Sequence, residues 1–250
     1  MSLPPPLGSL EMTVEAGDGL ILKGSLTYPD LTDGGGYPLA ILAHQYPATA
    51  DSYAPLIEDL VELGVAVLAF DQRGHGASTA TPKGALVIDT PVGFGLEAFG
   101  AAFVSSIGKV GFNRIDDDVL RVTSWGAAQN NIDTSALMLV GSSVGGTAVT
   151  LAAPKVPGLK ALLTFGPAGE LVWGEDGRQQ GRRAMERIAA HTLHTSSEGD
   201  AFAGAANARA WSEGLAHARA HVIPGAGHAM AIYYEVRSEA LALVRRALGR

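Results

Sequence analysis

Four short runs are apolar almost throughout: "PLAILAH" (38–44), "VAVLAF" (65–70), "ALMLVGS" (136–142) and "LKALLTF" (159–165). A strand with one wet face alternates apolar and polar side chains, so a strand that does not alternate must be covered on both faces. Segments with helical spacing separate these runs. "DSYAPLIEDLVELG" (51–64) has apolar residues at 56, 57, 60 and 63, a capping Asp51 or Ser52 and a terminating Gly64. A second helix is expected near 115–129, with Trp125 on its apolar side. The helix dipole favours the three acids Asp116, Asp117 and Asp118 in its first turn. A small-residue helix is expected from about 144 to 153. The tail places Ile232, Val236, Ala240, Val244 and Leu248 on one helical face. Apolar strands alternating with helices define the α/β class: a mostly parallel central sheet with helices on both faces.

Two further strands are expected at 10–15 and 20–28, joined through Gly17-Asp18-Gly19, with weaker strand signals at 190–196 and 218–223. No repeat, linker or charge block divides the chain, which reads as one domain over 1–250 with an extended, proline-rich lead-in at 1–9. Residues 80–114 break the alternation, being apolar, glycine-rich and without clear periodicity. A connection this long is usually functional or mobile. Three readings stay open: a surface excursion packed on the body, a lid or pocket wall over an apolar substrate, and a contact between two copies in a homodimer. Asp89, Glu97 and Lys109 argue against a membrane segment there.

Charge and composition exclude several functions. The net charge is −7, and no stretch concentrates lysine and arginine, so nucleic acid is not an expected partner. The chain has no cysteine, which excludes disulfides, thiolate metal sites and cysteine nucleophiles. The first residues lack the basic start and apolar core of a signal peptide. No window offers the roughly 18 apolar residues of a spanning helix. A soluble cytoplasmic protein is the expectation.

The run "LVGSSVGGT" (139–147) satisfies G-x-S-x-G with Ser143 at its centre, between a buried strand and a helix. A strand that turns straight into a helix strains its corner residue and crowds the flanking ones, and glycines at 141 and 145 remove the clashing Cβ atoms. The corner side chain is lifted above the C-terminal sheet edge, over a helix N-terminus that favours developing negative charge. Ser142 has valine two residues before it and reads as a small packing residue.

A serine hydroxyl needs a base, and the base needs an orienting acid. Of seven histidines, His228 lies in a loop, "AHVIPGAGHAM", after an expected strand and before the last helix. His191, His194, His217 and His221 sit in or beside strand-like segments and read as packing or surface residues, and His75 as a loop-shaping one. For the acid, "HTLHTSSEGDAF" ends a weak strand with both Glu198 and Asp200.

With these landmarks the chain resembles the α/β-hydrolases over nearly its whole length after residue 10. "LAHQYPA", "VAVLAFDQRGHGAS", "LVGSSVGGT" and "EGD…GAGH" fall in that family's order. The resemblance implies Ser143 as nucleophile, Asp200 as acid and His228 as base, with no cofactor. It also implies an oxyanion hole from the backbone N–H groups of Val144 and Tyr46. Two departures stand out. The family usually has glycine directly after the histidine of the first landmark, where this chain has Gln45; a positive φ there would strain it. The segment that carries a large cap in many relatives, roughly 166–189, is short here. The pattern is similar to compact esterases and dienelactone-hydrolase-like enzymes, with serine in place of cysteine. A serine at the elbow also departs from dehalogenases and epoxide hydrolases, which carry aspartate. The implied partner is a small-molecule ester. Thioesterase, amidase, peptidase and acyltransferase chemistry use the same machinery, and the fold also hosts non-catalytic binding proteins.

Overall fold

The computed structural model describes residues 8–29, 36–93, 95–168, 170–174 and 176–250. The expected lead-in lies outside the described residues as far as residue 7, and Ser9 already belongs to the first strand. In chain order, β1 (Ser9–Glu15) and β2 (Ile21–Thr27) form the expected hairpin, followed by β3 (Tyr37–Ala43), α1 (Ala54–Glu62) and β4 (Ala66–Phe70). The 80–114 segment holds a two-stranded hairpin, β5 (Ala80–Thr81) with β6 (Gly84–Ala85), and then α2 (Leu96–Val110). Next come α3 (Ile115–Ala127), β7 (Ile132–Ser142), α4 (Val144–Ala152) and β8 (Leu159–Phe165). Two short helices, α5 (Glu170–Trp173) and α6 (Gly177–Met185), precede β9 (His191–Ser197). The chain ends with α7 (Gly204–Ser212), β10 (Ala218–Ile223) and α8 (Tyr233–Ala247).

Eight strands form one sheet in the order β1-β2-β4-β3-β7-β8-β9-β10. The pairs β1–β2 and β2–β4 are antiparallel, and every pair from β4 to β10 is parallel. The four apolar runs are β4, β3, β7 and β8, the interior of the sheet. Their side chains divide strictly by parity. Leu39, Ile41, Leu68 and Leu139 pack on the face covered by Val119, Val122 and Ala148 of α3 and α4. Ala40, Leu42, Val67 and Val140 pack on the face covered by Leu56 and Leu60 of α1 and by Val236, Ala240 and Val244 of α8. Each fully buried aliphatic side chain contributes about 1.5–3 kcal/mol, so neither face tolerates a one-residue slip. Among the described residues no helix is long and apolar enough to cross a membrane.

Three local expectations are corrected. Neither Asp51 nor Ser52 caps α1: a 3-10 turn (Ala50–Tyr53) leads in, tied to the next strand end by Ala50 N–H donating to Asp71 Oδ1 at 3.0 Å. The segment 80–114 contains a 15-residue helix. It shows no amphipathic period because α2 keeps Leu96 and Val104 exposed while burying Ala102, Phe103 and Val110. Asp118 does more than oppose a dipole; it turns inward onto Arg73.

Candidate active site

The parallel strands bring three loops to one rim, the C-terminal ends of β7, β9 and β10. Ser143 is the whole connection between β7 and α4, with φ 51° and ψ −121°. A non-glycine residue held there costs about 1–3 kcal/mol. Two bare neighbours enforce this corner. A Cβ at Gly145 would lie 2.0 Å from the Ala43 carbonyl, and one at Gly141 would lie 2.3 Å from the Gly145 carbonyl. The Ser143 amide donates to Phe165 O at 3.0 Å, which anchors the corner to the end of β8.

His228 follows β10, and its Nδ1 lies 2.9 and 2.8 Å from Asp200 Oδ1 and Oδ2. The Asp200 side chain is wholly buried and also accepts from Ser196 Oγ at 3.0 Å and from the Phe202 amide at 2.9 Å. These donors orient the carboxylate. It in turn places the imidazole proton on Nδ1 and leaves Nε2 as acceptor. The pair sits on a residue without a side chain: a Cβ on Gly166 would come within 2.9 Å of both Asp200 Oδ2 and His228 Nδ1. Gly166 directly follows Phe165, so the Asp200–His228 pair and the serine corner adjoin through one peptide. Ser143 Oγ and His228 form no hydrogen bond among the described residues; such contacts are often long without substrate.

The remaining candidates lie elsewhere. Glu198 is exposed and pairs with Arg209. His194 is fully buried against Thr164 Oγ1 at 2.7 Å, and loss of hydration lowers its pKa to about 3. His217 lies 3.2 Å from Met185 O, His221 lies 3.9 Å from Glu239, and His191 is exposed. His75 is buried with Nδ1–H donating to Arg73 O at 3.0 Å, in keeping with a loop-shaping role.

The loop after β3 faces the elbow. His44 is fully buried; its Nε2 accepts from the Gln72 amide at 2.9 Å, so its proton is on Nδ1, donated to Gln45 O at 2.8 Å. Burial, then the neighbouring His75, lowers its pKa to about 3. Gln45 is absent from the non-glycine residues with positive φ, so the strain expected of it does not arise. The Tyr46 ring is buried among Phe99, Phe103 and Phe112, and its hydroxyl donates to Asp89 O. The amides of Tyr46 and Val144 donate to no partner among the described residues. A cavity of about 260 Å³ opens here, lined by Tyr46, Phe99, Phe103, Ser143, Val144 and Phe202 among others. Two of these aromatics come from α2, so the 80–114 segment forms a wall of the cavity that holds Ser143. Ser142, read as packing alone, instead joins Gln45 and Tyr53 through its hydroxyl. Its small size hid that role, and only the polar residue at 45 hinted at a partner.

A strained strand-to-helix serine corner after β7, and a histidine held by a buried carboxylate after β10 and β9, sit at one rim of an α/β-hydrolase fold. The chain belongs to the hydrolase family described as serine aminopeptidase, S33, which matches residues 38–199, more than half its length. That match includes Ser143 and stops short of Asp200 and His228. No curated protein sequence matches the chain. Solved structures do. A dienelactone hydrolase from Anabaena variabilis is 19% identical with a TM-score of 0.65, covering 96% of each chain. An a/b serine hydrolase without lid from Xanthomonas campestris is 19% identical with a TM-score of 0.63, covering 98% of this chain and 97% of that one. An acetyl xylan esterase from Paenibacillus sp. R4 is 17% identical with a TM-score of 0.69, covering 95% and 83%. These likenesses establish the fold.

Proposed function

We propose that the protein is a serine hydrolase that cleaves carboxylic esters of small or medium acyl substrates through an acyl-enzyme, without a cofactor. The observation that carries this reading is the buried Asp200 carboxylate holding His228 Nδ1, next to a strained serine that lines a cavity. His228 Nε2 takes the Ser143 proton as Oγ attacks the ester carbonyl, and Asp200 stabilises the imidazolium. The amides of Val144 and Tyr46 receive the negative charge on the carbonyl oxygen; fixed donors of this kind contribute about 10²–10³ in rate each. His228 then protonates the leaving alcohol and activates the water that releases the acid. The cavity, about 260 Å³, is below the roughly 300–1,000 Å³ usual for drug-sized ligands, and Tyr46, Phe99, Phe103 and Phe202 give it an aromatic side. It suits a short apolar acyl group.

A fluorophosphonate probe should label the wild-type protein and not Ser143→Ala. Absence of labelling in folded wild type would replace this reading with a binding role. Among p-nitrophenyl esters, butyrate should be cleaved faster than palmitate. Preference for an amino-acid p-nitroanilide over every ester would move the assignment to peptidase chemistry.

A further inference from the structure

Ser142 ends β7 directly before Ser143 and has no exposed surface. Its hydroxyl donates to Gln45 Oε1 at 2.6 Å, because an amide oxygen can only accept. The hydroxyl of Tyr53, also fully buried, lies 2.9 Å from Ser142 Oγ and 2.9 Å from the Ala43 carbonyl, and it shares its one proton between them. A polar chain thus runs Ala43–Tyr53–Ser142–Gln45. It starts on the last residue of β3 and ends on the residue just before Tyr46. Ala43 O is also the atom that excludes a side chain at Gly145. The loop after β3 and the elbow therefore touch twice, once backbone to backbone and once through Ser142 and Gln45.

Each member of the Ser142–Gln45 bond adjoins one of the proposed oxyanion donors: Ser142 lies two residues before Val144, and Gln45 one before Tyr46. We infer that Ser142 and Gln45 are positioning residues whose hydrogen bond fixes the separation of the Val144 and Tyr46 amides. Glycine at 45 would supply no such tether. The glutamine therefore replaces backbone freedom with a side-chain brace, and its unstrained φ is consistent with that role. Rigid spacing matters most in the transition state, when the carbonyl oxygen gains charge, and less in the ground state. This inference rests on Ser143 being the nucleophile.

The test uses the full chain with Ser142→Ala, Gln45→Ala, the double variant, and Gln45→Met, which keeps length but removes the acceptor. The readouts are the rate of Ser143 phosphonylation by a fluorophosphonate, kcat and KM for p-nitrophenyl butyrate, and folding by circular dichroism at the assay temperature. Each single variant should lose about 10-fold in kcat and in phosphonylation rate with KM within about 2-fold, and the double variant should lose no more than the worse single. Rates within about 2-fold of wild type in the folded single variants would overturn the inference, as would losses that multiply in the double variant. If the alanine variants do not fold, Gln45→Met decides by the same criteria. Wild type that resists phosphonylation would remove the Ser143 reading and this inference with it; labelled wild type beside unaffected variants would remove this inference alone.

Discussion

Arg73 and Asp118 face each other with side chains 1% and 2% exposed, joined at 2.7 Å through Nε and at 3.0 Å through Nη2. The same guanidinium donates to Val110 O at the end of α2 and to Asp18 in the turn between β1 and β2. One side chain thereby ties the edge hairpin, the loop after β4, the wall helix of the cavity and the first turn of α3. A buried charge left wholly unpaired costs about 3–5 kcal/mol, and Arg73 without Asp118 would keep only the half-wet Asp18. Asp118→Ala should therefore lower unfolding stability by about 2–3 kcal/mol in urea titration. Asp18→Asn, at the wetter contact, should cost about 1 kcal/mol. Equal effects would show that the guanidinium does not discriminate between its two carboxylates.

The two acids after β9 should behave differently. Asp200→Asn is expected to lower kcat by about 10³–10⁴, because the amide no longer holds the His228 tautomer. Glu198→Gln should stay within about 2-fold, since an exposed ion pair with Arg209 contributes little. Steady-state kinetics on one ester separates them, and a larger loss in the glutamine variant would move the acid to 198.

Acid should destabilise the fold before it protonates carboxylates. His44, His75 and His194 are buried, and loss of hydration carries their pKa values from 6.5 down to about 3, 4 and 3. The unfolded chain therefore binds more protons than the native one below pH 6.5, down to the folded values. Stability is full above the unfolded value and falls as pH drops through the window from about 6.5 to 4. Each histidine contributes up to about 1.4 kcal/mol per pH unit. Urea midpoints between pH 7.5 and 4.5 should show this slope, and His194→Gln should flatten it. A midpoint independent of pH would contradict burial of the three rings.

Phe103, on α2, lines the cavity. Phe103→Ala should raise kcat/KM for hexanoate relative to acetate esters by about 10-fold, the scale on which apolar pockets discriminate methylenes. An unchanged ratio would mean that the acyl group does not occupy this cavity.

The interior of the sheet is legible in the sequence because β3, β4, β7 and β8 carry unbroken apolar runs that only a doubly covered strand can bury. The elbow is legible for a steric reason: Gly141 and Gly145 stand where a methyl group cannot. The loop positions of His228 and of the Glu198/Asp200 pair also narrow the search, but which carboxylate faces His228 depends on Gly166 and Ser196, whose proximity no local pattern encodes. Other features are silent for particular reasons. The α2 helix exposes Leu96 and Val104, so its apolar residues have no single face. The α7 helix is short and alanine-rich, and its buried residues, Gly204, Ala205, Asn207, Ala208 and Trp211, include only one large apolar side chain. Arg73 and Ser142 look like ordinary loop and packing residues until partners 45 and 97 positions away arrive beside them.

Gly145 leaves no room for a Cβ beside the Ala43 carbonyl, and Gly166 lies bare beside the Asp200–His228 pair. Such contacts forbid any heavier residue whatever its polarity, so packing alone holds these two positions, whether or not the serine reacts. A descendant with a silent serine would still carry both imprints, and the outline of the workplace would outlast the work.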